Sequence, residues 1–153
     1  LLTKEIQLPI FQTYGMTETS SHIAFRLISS EDTIYQCLKS VEIKLNDQGC
    51  LCINSPSTLN QWIETNDVAE LIHVNQFSLL GRKDFVINSG GRKIHPELIE
   101  KSCQSFFAQH SIFFKIFAYG LHDDFYGQKL VLFIETKDEF GFQLQLMDYL
   151  KLI

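Results

Sequence analysis

No stretch of this chain approaches the roughly 20 consecutive apolar residues that cross a bilayer, so a membrane span is not expected. The opening residues lack the basic, apolar and small-residue succession of a secretory leader, which argues against export. Cations are in the minority: thirteen Lys and Arg face eighteen Asp and Glu, a net charge of −5. A negative chain is a poor general partner for polyanions, so nucleic acid is not expected as a ligand. Cysteine is sparse. The four cysteines (Cys37, Cys50, Cys52, Cys103) form no CxxC pair, and no histidine completes a zinc-type spacing around Cys50 and Cys52. Buried, reduced thiols in a cytoplasmic protein are expected instead. The 153 residues are 45% hydrophobic and 20% charged, the balance of a globular chain with one ordinary domain or two small lobes.

Periodicity divides the chain in two. Residues 9–13 are short and apolar, suiting a buried strand. Residues 41–45 alternate Val41, Ile43 and Leu45 with Glu42 and Lys44, and Asn46-Asp47-Gln48-Gly49 turns them into 50–54, a hairpin with one buried face. Residues 69–73 and 77–80 read as a second short pair. After Gly81 the pattern changes. Pro96 opens a helix whose apolar face is Ile99, Cys103, Phe106 and Phe107. Two strands follow, at 112–119 and 129–136, with a loop over 121–127 between them. Residues 1–7 read as the tail of a helix, and 142–153 as an amphipathic helix carrying Leu144, Met147 and Leu150. The expected class is α+β: a β-rich part, then a small α+β lobe.

Three segments carry the residue types of a binding site. In Tyr14-Gly15-Met16-Thr17-Glu18-Thr19, a glycine after an apolar strand permits a sharp turn and a close approach to a ligand. Thr17 adds a hydroxyl, and Glu18 a carboxylate of the kind that holds Mg²⁺ together with substrate phosphates. The plainer reading of the same residues is a helix N-cap, with Thr17 or Thr19 capping and Glu18 favouring the helix dipole. In Trp62-Ile63-Glu64-Thr65-Asn66-Asp67, one carboxylate could accept both hydroxyls of a ribose; the segment also suits an ordinary turn. The third stretch runs from Gly81 to Glu100. Within its window Gly81 to Lys93, Arg82, Lys83, Arg92 and Lys93 face the single carboxylate of Asp84, and Ser89-Gly90-Gly91 forms a flexible loop with open N–H groups. A basic glycine loop suits phosphate; a solvated linker is the plainer reading. His95 reads as a loop or helix-start residue.

Taken in order, these segments resemble the AMP-forming acyl-CoA synthetase superfamily. The matching residues are Tyr14-Gly15-Met16-Thr17-Glu18, Thr65-Asn66-Asp67, Gly81-Arg82-Lys83-Asp84, and Ser89-Gly90-Gly91 running on to Ile94, Pro96, Ile99 and Glu100. The wording of Ser21-His22-Ile23-Ala24, 65–71 and 86–91 is similar to the o-succinylbenzoate–CoA ligase branch of menaquinone biosynthesis. The resemblance implies a ligase that joins a small carboxylic acid to coenzyme A, using ATP and Mg²⁺, through an acyl-adenylate. It implies an ATP and AMP site at Tyr14, Gly15, Met16, Thr17, Asp67 and Arg82, with Tyr14 against adenine, Thr17 on the α-phosphate and Asp67 on the ribose. Glu18 would hold Mg²⁺, Asp84 would be the hinge, and Gly90, Gly91 and Tyr126 would contact coenzyme A. The implied domains are 1–82, the end of a large adenylate-forming domain, and 83–153, most of a small mobile one.

Departures accompany the match. Asn66 stands where the family has glycine, and residues 54–61 form a shorter segment than in most relatives. The family's phosphate loop and adenylation lysine would fall before Leu1 and beyond Ile153, and Lys151 is not in that lysine's motif. The 153 residues alone are therefore expected to be inactive. His22 could face an acyl pocket or be simply exposed or packed in the core. Competing readings are a ligase for a fatty or aryl acid and a non-catalytic nucleotide-binding module.

Overall fold

A computed structural model describes residues 8–28, 33–110 and 115–135; the two helices read at 1–7 and 142–153 lie outside the described residues. The fold is α+β. It divides after Lys83 into two compact units.

The first unit is a seven-stranded antiparallel sheet. Its strands are β1 (Phe11–Gly15), β2 (His22–Leu27), β3 (Ile34–Cys37), β4 (Glu42–Leu45), β5 (Cys50–Asn54), β6 (Ile63–His73) and β7 (Gln76–Arg82). The spatial order is β1-β2-β3-β7-β6-β5-β4. The expected β4–β5 hairpin is present. Asn46 Oδ1 accepts the N–H groups of Gln48 (3.0 Å) and Cys50 (2.9 Å), and Gly49 takes φ +78° to close the turn. Ile23, Tyr35, Cys37, Leu51, Ile53, Ala69 and Phe77 make the core. All four thiols are free and buried. Burial pushes Cys37 up to about 11 and raises Cys52 and Cys103 as well, which suppresses the thiolate that a nucleophile or metal ligand needs.

Two expectations for this unit need correction. The strand read at 9–13 as buried lies at 11–15 and is largely exposed. It is an edge strand with β2 as its neighbour, and only Tyr14 packs against the core. The segment 62–67, which suited a turn, belongs mostly to β6. Here β6 takes four residue steps, Glu64 to Val68, against two on β5, Cys52 to Cys50. The excess is a bulge containing Thr65, Asn66 and Asp67. Thr65 Oγ1 accepts the Asp67 N–H at 3.0 Å and fixes it, so turn-forming residues serve here inside a strand.

In the second unit, β8 (Ile87–Ser89), β9 (Arg92–Ile94), β10 (Lys115–Asp123) and β11 (Gly127–Glu135) form a sheet in the order β10-β11-β8-β9. The helix α1 (Pro96–Gln109) begins with Pro96 in its first turn, where a missing N–H costs little. It buries Cys103, Phe106 and Phe107 against Ile116, Leu132 and Ile134. Glu100 Oε1 accepts the Ala118 N–H at 2.8 Å and ties the helix to β10.

The loop read at 121–127 is mostly strand. Pairing is continuous from Lys115↔Glu135 to Asp123↔Gly127. Asp123 Oδ1 accepts the N–H groups of Phe125 and Tyr126, compressing the reversal into residues 124–126. The expected flexible Ser89-Gly90-Gly91 loop is also corrected. Gly90 (φ +56°) and Gly91 (φ +80°) are the two central residues of a tight β8–β9 hairpin, a left-handed pair that glycine adopts without strain.

Candidate functional site

Gly15 closes β1 directly opposite His22 of β2, after a register slip from Tyr14↔Ala24. The chain between them makes a 3-10 turn, Thr17–Thr19, and leaves it through Ser20 at φ +58°. Thr19 is fully buried and serves this turn: its Oγ1 accepts the Met16 N–H (3.0 Å) and lies 2.7 Å from the Ser21 carbonyl. The capping role therefore falls to Thr19. Thr17 instead lines an open cleft with Gly15, Met16, Ser21 and His22. Glu18 is exposed on the same turn. His22 is exposed, not a core residue, and its Nδ1 lies 3.0 Å from Ser21 Oγ.

Residues from all three segments meet within this unit. The Tyr14 hydroxyl donates to Asp67 Oδ2 at 2.6 Å, across 53 positions of sequence. Arg82 is the cross-strand partner of Asp67, with Nη1 4.0 Å from Oδ1. The Asp67 side chain is only 18% exposed, and these two neighbours are its polar contacts on the protein side. Tyr14 is held far above the usual phenol range, first by burial and then by the Asp67 carboxylate. Both causes favour the protonated, donating form of the hydroxyl.

In the second unit, Gly90 donates its N–H to the Tyr126 carbonyl at 2.9 Å. A Cβ at Gly90 would sit 3.1 Å from Tyr126 Cδ1, whereas one at Gly91 would meet nothing within 4 Å. The fold thus brings Gly90, Gly91 and Tyr126 to one corner, although 35 positions separate Gly91 from Tyr126. Asp84 lies in a 3-10 turn, Lys83–Phe85. Lys93 is exposed on β9, and His95 stands at the N-cap of α1 without a side-chain capping bond.

Among the described residues no group of three or more His, Cys, Asp or Glu could hold a metal. Glu18 offers one hard oxygen ligand on an accessible turn. That donor set fits Mg²⁺ carried by phosphates and does not fit a metal caged by protein. The motif pattern offers Thr19 as a possible cap, but it does not disclose the hydroxyl of Thr65, which fixes the bulge, or the 3-10 turn Pro56–Thr58, in which Thr58 Oγ1 accepts the Ser55 N–H at 3.1 Å. A hydroxyl three positions after the turn's start, in Met16-x-x-Thr19 and Ser55-x-x-Thr58, is the signal that could have found both turns. No helix among the described residues is long and apolar enough to cross a membrane.

No family model matches the chain. A 2-succinylbenzoate–CoA ligase of Bacillus cereus is 27% identical over 160 residues, 86% of this chain and 32% of that protein. An AMP-forming acyl-CoA synthetase/AMP-acid ligase II-like protein of Dyadobacter fermentans is 33% identical in structural alignment. That match covers 99% of this chain and 44% of the other, with a TM-score of 0.53. The o-succinylbenzoate coenzyme A synthetase of Bacillus subtilis, solved with ATP and magnesium ion, is 25% identical with a TM-score of 0.74. It covers 96% of this chain and 35% of the other. The chain spans about a third of the length of the curated relatives it matches. In sequence and in fold, it resembles the C-terminal portion of the AMP-forming acyl-CoA synthetases, and among them the 2-succinylbenzoate–CoA ligases.

Proposed function

We propose that this chain works as the C-terminal portion of an AMP-forming acid–CoA ligase whose acid is o-succinylbenzoate. The observation that carries the reading is the meeting of Tyr14, Asp67 and Arg82, one from each of three separate motifs, around a largely buried carboxylate. A carboxylate is a poor electrophile. Its oxygen would attack the α-phosphorus of ATP and expel pyrophosphate, and the coenzyme A sulfur would then attack the acyl carbon and expel AMP. Catalysis of this kind is mostly positioning and charge neutralisation. Asp67 suits the ribose hydroxyls, and Thr17 the α-phosphate. Gly15 and Met16 wall the same cleft as Thr17, and Arg82 adds positive charge. Glu18 would hold Mg²⁺, which supplies neutralising charge to the phosphates when bound. Gly90, Gly91 and Tyr126 suit the narrow passage of a pantetheine arm. Residues 1–82 would close the large domain and 83–153 would form the mobile one.

The test is pyrophosphate release by the full-length ligase across a panel of acids. O-succinylbenzoate is expected to give at least about tenfold higher kcat/KM than aryl or fatty acids, a gap of about 1.4 kcal/mol. A preference for a fatty acid would remove the substrate and leave the ligase. No release with any acid would remove the ligase.

Asp84 gives a second test. A hinge needs free φ and ψ at one point, and proline fixes its own φ while pushing Lys83 from α geometry. Asp84→Pro is expected to keep adenylate formation and to slow thioester formation about tenfold or more. Normal rates for both steps would place the pivot elsewhere.

A further inference from the structure

We infer that Tyr14 is a positioning residue: its hydroxyl holds one oxygen of Asp67 so that the carboxylate is set to receive a ribose diol. The inference rests on the nucleotide reading of Asp67 given above. It differs from the adenine contact that the motif position of Tyr14 implies.

The geometry constrains Asp67 from two sides. Its backbone is set by the bulge, where Thr65 Oγ1 accepts its N–H at 3.0 Å. Its side chain is set by the 2.6 Å bond from Tyr14, short enough to be a charge-assisted contact. Tyr14 itself is anchored. Its ring meets Phe77 edge-on at 5.3 Å and Tyr35 at 5.9 Å, and those two rings stack on each other at 5.3 Å. Phe77 is fully buried and Tyr35 nearly so. The position of the hydroxyl is therefore inherited from the core of the sheet.

Valence leaves room for a ligand. An ionised carboxylate has about four acceptor positions, of which Tyr14 occupies one on Oδ2. Arg82, at 4.0 Å from Oδ1, is too far for a hydrogen bond there yet close enough to offset charge. Two sugar hydroxyls can be accepted without displacing the tyrosine. Without its hydroxyl, the carboxylate could rotate and would take up water, and the ordering cost would fall on nucleotide binding.

The experiment compares ATP with 2′-deoxy-ATP in the full-length ligase, reading the ratio of their kcat/KM values. Wild type is expected to favour ATP strongly. Tyr14→Phe keeps the ring and its packing. It is expected to raise KM for ATP about tenfold and to shrink the ATP preference by a similar factor, with KM for the acid unchanged. The double variant of Tyr14→Phe with Asp67→Asn should be no worse than Asp67→Asn alone, since one residue acts through the other. This cycle holds even if one variant is less stable.

An unchanged ATP preference in Tyr14→Phe overturns the inference. So do additive losses in the double variant, or a change of base selection in Tyr14→Leu that Tyr14→Phe does not share. A wild type that does not distinguish the two nucleotides overturns instead the ribose reading of Asp67 beneath it.

Discussion

On the proposed reading, Glu18→Gln in the full-length ligase is expected to cut acyl-adenylate formation by about 10²–10³, the loss usual when a charge-stabilising group is removed from a polar transition state. Thioester formation from supplied acyl-adenylate should stay within a few-fold of wild type. The asymmetry follows from where the charge is. Pyrophosphate, with its load of negative oxygens, is present only in the first half-reaction, and so is the need for a carboxylate-held Mg²⁺. Glutamine preserves the size and hydrogen-bonding shape of the side chain and removes its charge. Glu18 is exposed on its turn, so the change buries no unsatisfied group and the fold should be untouched. Pyrophosphate release reports the first step and free coenzyme A thiol the second. Equal losses in both, from a protein with unaltered melting, would remove Glu18 from the metal role.

The parts of this fold that were legible in the sequence are those with local causes. Pro96, followed by Ile99, Cys103, Phe106 and Phe107, specifies a helix and its buried face from within fourteen residues. Alternation about Asn46-Asp47-Gln48-Gly49 specifies a hairpin in the same way. Local composition misleads where turn-forming residues serve a strand. Thr65-Asn66-Asp67 has the composition of a turn, yet neighbours on both sides, β5 and β7, keep it in β6 as a bulge. Leu121, His122 and Asp123 stay in the ladder because their partners on β11 do. Tertiary pairing overrides local preference in both cases.

The candidate site shows the same division. The residue types at Tyr14, Asp67 and Arg82 were readable, but the link between them was not. Asp67 meets Arg82 only through the β6–β7 register, which slips between Val68 and Ala69. Tyr14 meets Asp67 across 53 positions while its ring packs on Tyr35 of β3 and Phe77 of β7. Neither meeting is encoded in the spacing of the motifs. Conversely, Thr19 resolves an ambiguity that spacing left open. By taking the turn's hydrogen bonds, it leaves Thr17 to the cleft.

Gly15→Ala is expected to destabilise the chain by about 3 kcal/mol, the upper range for forcing atoms into a packed site. The cause is space and not dihedral preference. A Cβ at this position would overlap the Ser21 carbonyl oxygen and lie 2.7 Å from His22 Cα and 2.9 Å from the Ser21 carbonyl carbon. All three are backbone atoms, so no rotamer change relieves the overlap. The Ser20–His22 segment would have to withdraw, with Ser20 already at φ +58°. Withdrawal would strain the contact between Thr19 Oγ1 and the Ser21 carbonyl and leave a fully buried hydroxyl poorly satisfied. Gly49→Ala is the control. There φ is +78°, but the nearest atom is a side-chain carbon of Val68 at 3.8 Å, so only the backbone preference is lost, about 1 kcal/mol. Urea midpoints of the two variants separate these causes. Because β1 is an edge strand, the damage can also be local, and amide exchange at Ala24, which pairs with Tyr14, reads that directly. If Gly15→Ala matches wild type in both midpoint and exchange, β1 does not close on the Ser21–His22 turn, and the cleft beside Thr17 loses its wall.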